Sequence, residues 1–318
     1  MENKQDKISI IVPCHNEQEV LPFFLEEVEK VYAQMHEKYN VEFEYIFIDD
    51  GSRDKTLALL KEYAEKNSRV NYISFSRNFG KEAGMYAGLQ HATGDYTVIM
   101  DADLQDPPEL MDEMYKTLIE TDYDCVASCR VDRKGESKIR SAFAHSFYKI
   151  IRKISKVDIV DGARDFRMMT RQMVDSIVSL EEYNRFSKGI FAWVGFKTKW
   201  IPFENINRKA GTTKWSFWSL LIYAIDGILA FSTAPLALSA ILGIVLCMIA
   251  IIMIFVIIGK TLIFGDDVAG WPSLACIMCF TSGMSMFCNG IIGLYVSKTY
   301  SEVKKRPQYI IKTKHINE

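Results

Sequence analysis

The spacing of apolar residues changes along the chain. In the first 130 residues, short β-branched and aromatic runs end in polar clusters, and the stretches between them carry apolar residues at helical spacing. Ile8-Ser-Ile-Ile-Val12, ended by Pro13, predicts a first strand. An amphipathic helix is expected from Glu17 to Glu37. Phe43-Glu-Tyr-Ile-Phe-Ile48 predicts a second strand, stopped by Asp49-Asp-Gly-Ser52, and Asp54 is placed to cap a helix running to Lys66. Val70 to Phe75 reads as a third strand, Gly80 to His91 as a helix, and Tyr96 to Met100 as a fourth strand. Pro107-Pro-Glu109 opens another helix, and Asp124 to Ser128 is the fifth strand. Strands separated by helices of this length predict an α/β fold with βαβ units and a mostly parallel sheet. Ligands of such sheets sit beyond the carboxyl ends of the strands, where the polar clusters here fall.

Beyond residue 231 the pattern becomes continuously apolar. The chain has 318 residues with 38 Lys and Arg against 40 Asp and Glu, yet only Lys260, Asp266 and Asp267 are charged between Ser232 and Ser297. Pro235–Gly259 and Val268–Ser297 each exceed the roughly 20 apolar residues needed to span a bilayer. Lys and Arg flank the pair on both outer sides (Arg208, Lys209 and Lys214; Lys298, Lys304, Lys305 and Arg306), and the short connection is acidic. The positive-inside bias then predicts an integral membrane protein with its charged body and both termini cytoplasmic. Trp215-Ser-Phe-Trp-Ser-Leu-Leu-Ile-Tyr, before the first run, is expected to lie along the interface. The expected organisation is a cytosolic domain over 1–207, a juxtamembrane amphipathic segment over 208–234, two transmembrane helices over 235–297 and a cytosolic tail over 298–318. This partition excludes a plain soluble enzyme and a polytopic transporter, and the net charge of -2 argues against a nucleic-acid partner. The pair Cys276-x-x-Cys279 has no second ligand pair or His nearby, so it reads as small apolar residues rather than a metal site.

Candidate chemistry gathers at the strand ends. Asp101-Ala-Asp103 follows the fourth strand, and two carboxylates at that spacing can hold a hard divalent cation against a diphosphate. Mg²⁺ keeps several of its waters and needs few protein ligands, so a short acidic motif plus Gln105 suffices. Asp49-Asp50 and Glu17 can accept hydrogen bonds from a nucleobase or ribose, although the same residues serve as turn and cap formers. His15 alone reads as a loop residue. Arg77-Asn-Phe-Gly-Lys81 lacks the upstream glycine of a P-loop, which excludes an NTPase of that type.

The order Pro13-x-x-Asn16-Glu17, Asp49-Asp-Gly-Ser-x-Asp54, Asp101-x-Asp103 resembles the family 2 glycosyltransferases of GT-A, Rossmann-like fold. Arg77-Asn-Phe-Gly-Lys81, Asp101-Ala-Asp-Leu-Gln-Asp-Pro-Pro-Glu109, Asp165-Phe-Arg-Met-Met169 and Arg208-Lys-Ala-Gly-Thr-Thr-Lys214, followed by two apolar runs, are similar to the polyprenyl-phosphate members, which include dolichyl-phosphate mannose synthase and the bacterial GtrB-type enzymes. Thr213 stands where that group usually has Ser.

The resemblance implies that Pro13, His15, Glu17, Ile48 and Asp50 line a nucleoside pocket. It implies that Asp101 and Ala102 contact the nucleotide, and that Asp103 and Gln105 hold Mg²⁺ or Mn²⁺. Arg130, Arg208 and Lys214 would meet phosphates, and Asp165 would act as base or acceptor-positioning group, unless it only pairs with Arg164 or Arg167. The implied reaction moves one hexose, glucose or N-acetylglucosamine, from a UDP-sugar to undecaprenyl phosphate with inversion. The implied assembly is a homo-oligomer, with a tetramer as one form. A GDP-mannose donor, a hydroxyl acceptor and a non-catalytic scaffold are the competing readings.

Overall fold

The computed structural model describes residues 5–131, 160, 162–203, 225–264 and 270–317. Its centre is a mixed sheet of eight strands: β1 (Lys7–Cys14), β2 (Glu42–Asp49), β3 (Val70–Phe75), β4 (Tyr96–Ile99), β5 (Cys125–Arg130), β6 (Ala163–Thr170), β7 (Thr198–Phe203) and β8 (Ile311–His315). They lie in the order β7-β5-β6-β4-β1-β2-β3-β8. The central strands are apolar almost throughout because both faces are covered, as parallel strands require. Ile8, Ile10 and Val12 of β1, with Phe43, Tyr45 and Phe47 of β2, point to one face. There they meet α1 (Leu21–Tyr39), α2 (Thr56–Lys66) and α4 (Leu110–Glu120). Ile11, Ile46 and Ile48 point to the other face, under α3 (Lys81–His91), α5 (Arg171–Val178) and α6 (Ser187–Trp193). Gly88 lets α3 lie hard on β1, since a Cβ there would stand 2.2 Å from the Ile11 Cγ2.

The first five strands and four helices follow the sequence expectation, with one shift. Helix α1 starts at Leu21 rather than Glu17, because residues 17–20 form a turn whose Glu17 carbonyl accepts from the Val20 and Leu21 amides. Pro22 then opens the helix, where its missing N–H costs nothing. The sheet is less uniform than the expected mostly parallel one. Strand β6 runs antiparallel between β4 and β5, and β8 runs antiparallel along β3. The ladders β1–β2, β1–β4, β2–β3 and β5–β7 are parallel.

Two long helices, α8 (Ala234–Phe264) and α9 (Trp271–Val303), follow the short α7 at 225–231. Among the described residues, Ala234–Ile257 is the one stretch long and apolar enough to cross a membrane by length and composition, and none of it is buried. Large apolar side chains such as Ile252, Phe255, Phe287 and Val296 stand exposed along both helices. The Tyr295 hydroxyl of α9 donates to the Ser232 carbonyl just before α8 (2.6 Å).

Residues 304–317 return to the body rather than trailing away from it. Besides the β8 ladder, the Ser76 amide donates to the Ile310 carbonyl, Tyr309 stacks on Phe75 with ring centroids 4.9 Å apart, and the Asn317 amide donates to Asn71. Arg208, Lys214 and the Trp215 segment lie outside the described residues.

Candidate active site

Parallel strands β1, β2 and β4 end on one edge of the sheet, and their loops are pinned by side chains bonding to backbone. Asp49 at the end of β2 accepts from the Ser52 amide (3.1 Å) and the Ser74 hydroxyl (2.7 Å). The Asp50 carboxylate, 4% exposed, takes the amides of Phe79 (2.6 Å) and Gly80 (2.9 Å). Burial raises its pKa against the pull of those two amides. Gly51 has φ +61, and a Cβ there would stand 2.4 Å from the Arg77 carbonyl carbon, so only glycine lets the two loops touch. His15 Nδ1 lies 2.9 Å from the Asp50 carbonyl oxygen, Asn16 takes the left-handed φ of 55°, and the Glu17 amide donates to the Thr56 hydroxyl. Pro13 and Ile48 face Gly84 of α3, and Ile48 is fully buried. Asp54 accepts from the amides of Thr56 (3.0 Å) and Gln18 (3.3 Å), which joins the α1 and α2 starts.

The acidic cluster arises because β6 is antiparallel. A strand that runs backwards presents its amino-terminal residues at the edge where its neighbours present their carboxyl ends. The register sets Ile99 opposite Arg167, and two residues further along each strand bring Asp101 and Asp165 to the same place. Lys81, the first residue of α3, reaches both: its Nζ lies 2.7 Å from Asp101 Oδ1 and 2.5 Å from Asp165 Oδ2. Burial would raise the Asp165 pKa, but Lys81, with Lys188 and Arg167, outweighs it and holds the carboxyl well below the usual range. Burial works against the Lys81 ammonium, and the two carboxylates reverse that and raise its pKa. Asp165 is therefore ionised at neutral pH.

Neighbouring pairs fix this cluster. Asp106, 2% exposed, accepts from Arg164 Nε at 3.0 Å, tying the loop after β4 to the start of β6. Burial lifts Asp106 to about 6 against the opposing effect of Arg164. The Arg167 guanidinium lies buried over the Phe191 ring at 3.8 Å and donates to the Arg164 carbonyl. Glu82, next to Lys81, accepts from the amide and hydroxyl of Ser187. Asp103 accepts from the Gln105 amide (3.1 Å) across Leu104, which has φ 54°. Among the described residues no three His, Cys, Asp or Glu side chains converge as a ready-made metal cage.

Of the residues singled out from sequence, Pro13, His15, Glu17, Ile48, Asp50, Asp101, Ala102, Asp103, Gln105, Arg130 and Asp165 all belong to segments that meet this edge, with Ala102 buried. Arg130 ends β5, and its amide donates to the Gly162 carbonyl (3.0 Å) just before β6. Asp165 pairs with Lys81 rather than with Arg164 or Arg167, because Arg164 is taken by Asp106 and Arg167 is turned onto Phe191. Sequence reading left out Lys81 as a site residue, and with it Glu82, Asp106 and Arg164. The available signal was a lysine directly after a glycine, in a polar cluster that follows the third strand. Further along, a cavity of about 750 Å³ separates this body from α9, lined among others by Arg77, Glu82, Arg185, Lys298 and Glu302.

Residues 9–178 match the family model described as glycosyl transferase family 2. The protein named putative glycosyltransferase CsbB of Bacillus subtilis (strain 168) is 44% identical over 98% of this chain and 93% of its own. The prophage bactoprenol glucosyl transferase homolog of Escherichia coli (strain K12) is 40% identical over 96% of this chain and 98% of its own. The SfII prophage-derived bactoprenol glucosyl transferase of Shigella flexneri is 38% identical over 97% and 98%. A crystal structure of mannosyl-3-phosphoglycerate synthase from Rubrobacter xylanophilus aligns with TM-score 0.48 and 14% identity, covering 70% of this chain and 72% of that one. The motif order at the carboxyl edge, the α/β mixed sheet that carries it and these full-length relatives agree: the chain belongs to glycosyl transferase family 2 and is a glycosyltransferase of GT-A, Rossmann-like fold.

Proposed function

We propose that this enzyme transfers a single glucose from a UDP-sugar to undecaprenyl phosphate at the cytoplasmic face of a bacterial plasma membrane, with inversion at the anomeric carbon. The observation that carries the reading is the convergence of Asp101, Asp165 and Lys81 at the carboxyl edge, in a chain aligned nearly end to end with relatives named for bactoprenol glucosyl transfer. N-acetylglucosamine is the second sugar to test. In this reading residues 235–297, carried by α8 and the greater part of α9, hold two membrane spans, both termini are cytoplasmic, and Arg208 and Lys214 grip phosphate near the bilayer. A homo-oligomer belongs to the same reading.

The chemistry follows from charges. An acceptor phosphate oxygen attacks the anomeric carbon, the bond to the diphosphate breaks, and UDP leaves with the electron pair. The phosphate monoester is largely dianionic near pH 7, so no strong base is needed to make the nucleophile. The harder task is bringing two phosphates together, which calls for cations. Arg130 supplies one at the end of β5. The ionised Asp165 orients the incoming acceptor and stays unprotonated. His15, Glu17 and Asp50 meet the nucleoside from the ends of β1 and β2.

A divalent cation fits these residues. Asp103 offers a hard oxygen donor on the loop after β4, the Lys81–Asp101 ion pair beside it is a place where positive charge is already held, and Mg²⁺ or Mn²⁺ needs few protein ligands when phosphates complete its shell. Asp103 and Gln105 would hold it, and it would neutralise charge on the leaving diphosphate. The test incubates membranes containing the enzyme with undecaprenyl phosphate and a panel of labelled nucleotide sugars. A lipid product from UDP-glucose, lost with EDTA and in Asp103→Ala, is expected. No product with any donor overturns the reading, and product indifferent to EDTA and to Asp103→Ala overturns the metal assignment.

A further inference from the structure

Lys81 occupies a position that local structure does not favour. It opens α3, where the helix dipole presents its positive end and disfavours a cation. As glue for the fold it is a poor choice, since gathering three charges out of water costs about as much as their attraction returns. Yet the backbone holds it there from two directions. Gly80 takes φ 96°, and Asp50 clasps the amides of Phe79 and Gly80. Phe79 packs edge-on against Phe75, which in turn stacks on Tyr309 from the carboxyl-terminal segment. The Lys81 side chain is 35% exposed and its Nζ stands between a carboxylate of β4 and one of β6. Among the described residues, Arg164 is engaged with Asp106, Arg167 with Phe191, and Lys188 with the Ala163 carbonyl.

We propose that Lys81 is a positioning residue, an internal counter-ion that aims Asp165 for the acceptor and fills the cation seat on Asp101, leaving Asp103 as the anchor for a divalent ion. The first half of this assignment rests on the transfer reaction proposed above; the second does not. An ammonium has three donors, and Lys81 spends them on the two carboxylates. Without it, Asp165 and Asp101 face each other as like charges. Asp165 then turns away from the acceptor, and the freed Asp101 becomes an additional cation ligand.

The test compares Lys81→Met and Lys81→Arg with the full-length wild type in detergent. Two readouts are used: steady-state transfer, and Mn²⁺ affinity without donor by paramagnetic titration. For Lys81→Met, kcat is expected to fall about 100-fold, the size seen when one preorganised charge is removed. The donor KM should stay within about threefold, because the nucleoside contacts are untouched. Mn²⁺ should bind about tenfold more tightly, as the competing ammonium is gone. Lys81→Arg keeps the charge, so its Mn²⁺ affinity should match wild type while kcat falls about tenfold through altered reach. Wild-type kcat in Lys81→Met, or unchanged Mn²⁺ affinity, overturns the assignment. If Lys81→Met does not fold, Lys81→Gln, which also removes the charge, replaces it, and wild-type kcat or unchanged Mn²⁺ affinity there overturns the assignment. If the wild type makes no product from any donor, the transfer reading fails, and the Mn²⁺ titration still decides whether Lys81 fills the seat on Asp101.

Discussion

The two halves of the sheet hold their shares of the site by different physics. In the parallel half, the acids between β2 and α2 bond to backbone amides: Asp49 to Ser52, Asp50 to Phe79 and Gly80, Asp54 to Thr56; Asp101 after β4, at the seam with β6, faces Lys81 instead. In the other half, β6-β5-β7, the site is held by charge on charge and charge on ring: Asp106 with Arg164, Asp165 with Lys81, Arg167 on Phe191. Amide donors are fixed parts of the frame and shape a rigid cradle. Ion pairs can change partners when charged substrates arrive. In the function proposed above, the amide-held half would meet the nucleotide and the ion-paired half would bring phosphates together.

That contrast breaks most sharply at Asp165. Asp165→Asn keeps the shape and removes the charge, and is expected to lower kcat about 100-fold, the scale of a misplaced reactant, while the thermal midpoint in detergent moves little. Asp106→Ala attacks the same half through stability. It strands Arg164 beside Asp101 and Asp103, and is expected to cost about 3 kcal/mol in chemical denaturation. Asp50→Ala probes the amide-held half. It leaves two amides without their acceptor and is expected to cost about 2 kcal/mol, with faster hydrogen exchange at Phe79 and Gly80. If Asp50→Ala instead cut kcat as deeply as Asp165→Asn at full stability, the division between halves would fall.

The smallest effect lies at the seam with α9. Glu302 accepts from the amides of Tyr183 and Asn184. Its partial burial pushes its pKa up, and those amides outweigh that and lower it. A carboxyl depressed on folding contributes stability above its unfolded pKa, near 4.3, and loses it as pH falls through the folded value. Protection of the Tyr183 and Asn184 amides, corrected for intrinsic exchange rates, should therefore fall as pH drops through the folded value in the wild type and be less acid-sensitive in Glu302→Gln. The energy involved is below about 1 kcal/mol, because the group is exposed to screening water.

The same contrast marks what could be read from sequence. Strands β1 to β5 are written locally, as apolar runs ended by Pro13, Asp50 or Asp101, and loop residues at their ends are natural site candidates. Strand β6 has no such signature. Ala-Arg-Asp-Phe-Arg-Met-Met-Thr mixes charges with apolar residues because its start faces the site, and its burial depends on Asp106, Phe191 and Lys81, all distant in sequence. Asp165 was identifiable by motif, but its partner was not, since the partner is fixed by the register of β6 against β4. Strand β8 was hidden for another reason. Ile-Lys-Thr-Lys-His is polar on its outer side, as an edge strand should be, and after a long apolar stretch it reads as a tail.

The placement of β8 also sets an order of events during biosynthesis. Strand β3 precedes both long helices in the chain, and β8 follows them. While the ribosome makes everything between, the open edge of β3 is a bare template for mispairing. It is capped only after α8 and α9 have been made. Among the described strands β8 is made last, so the covering of the β3 edge and the Tyr309 and Ile310 contacts that back the loop before Lys81 arise in one late step.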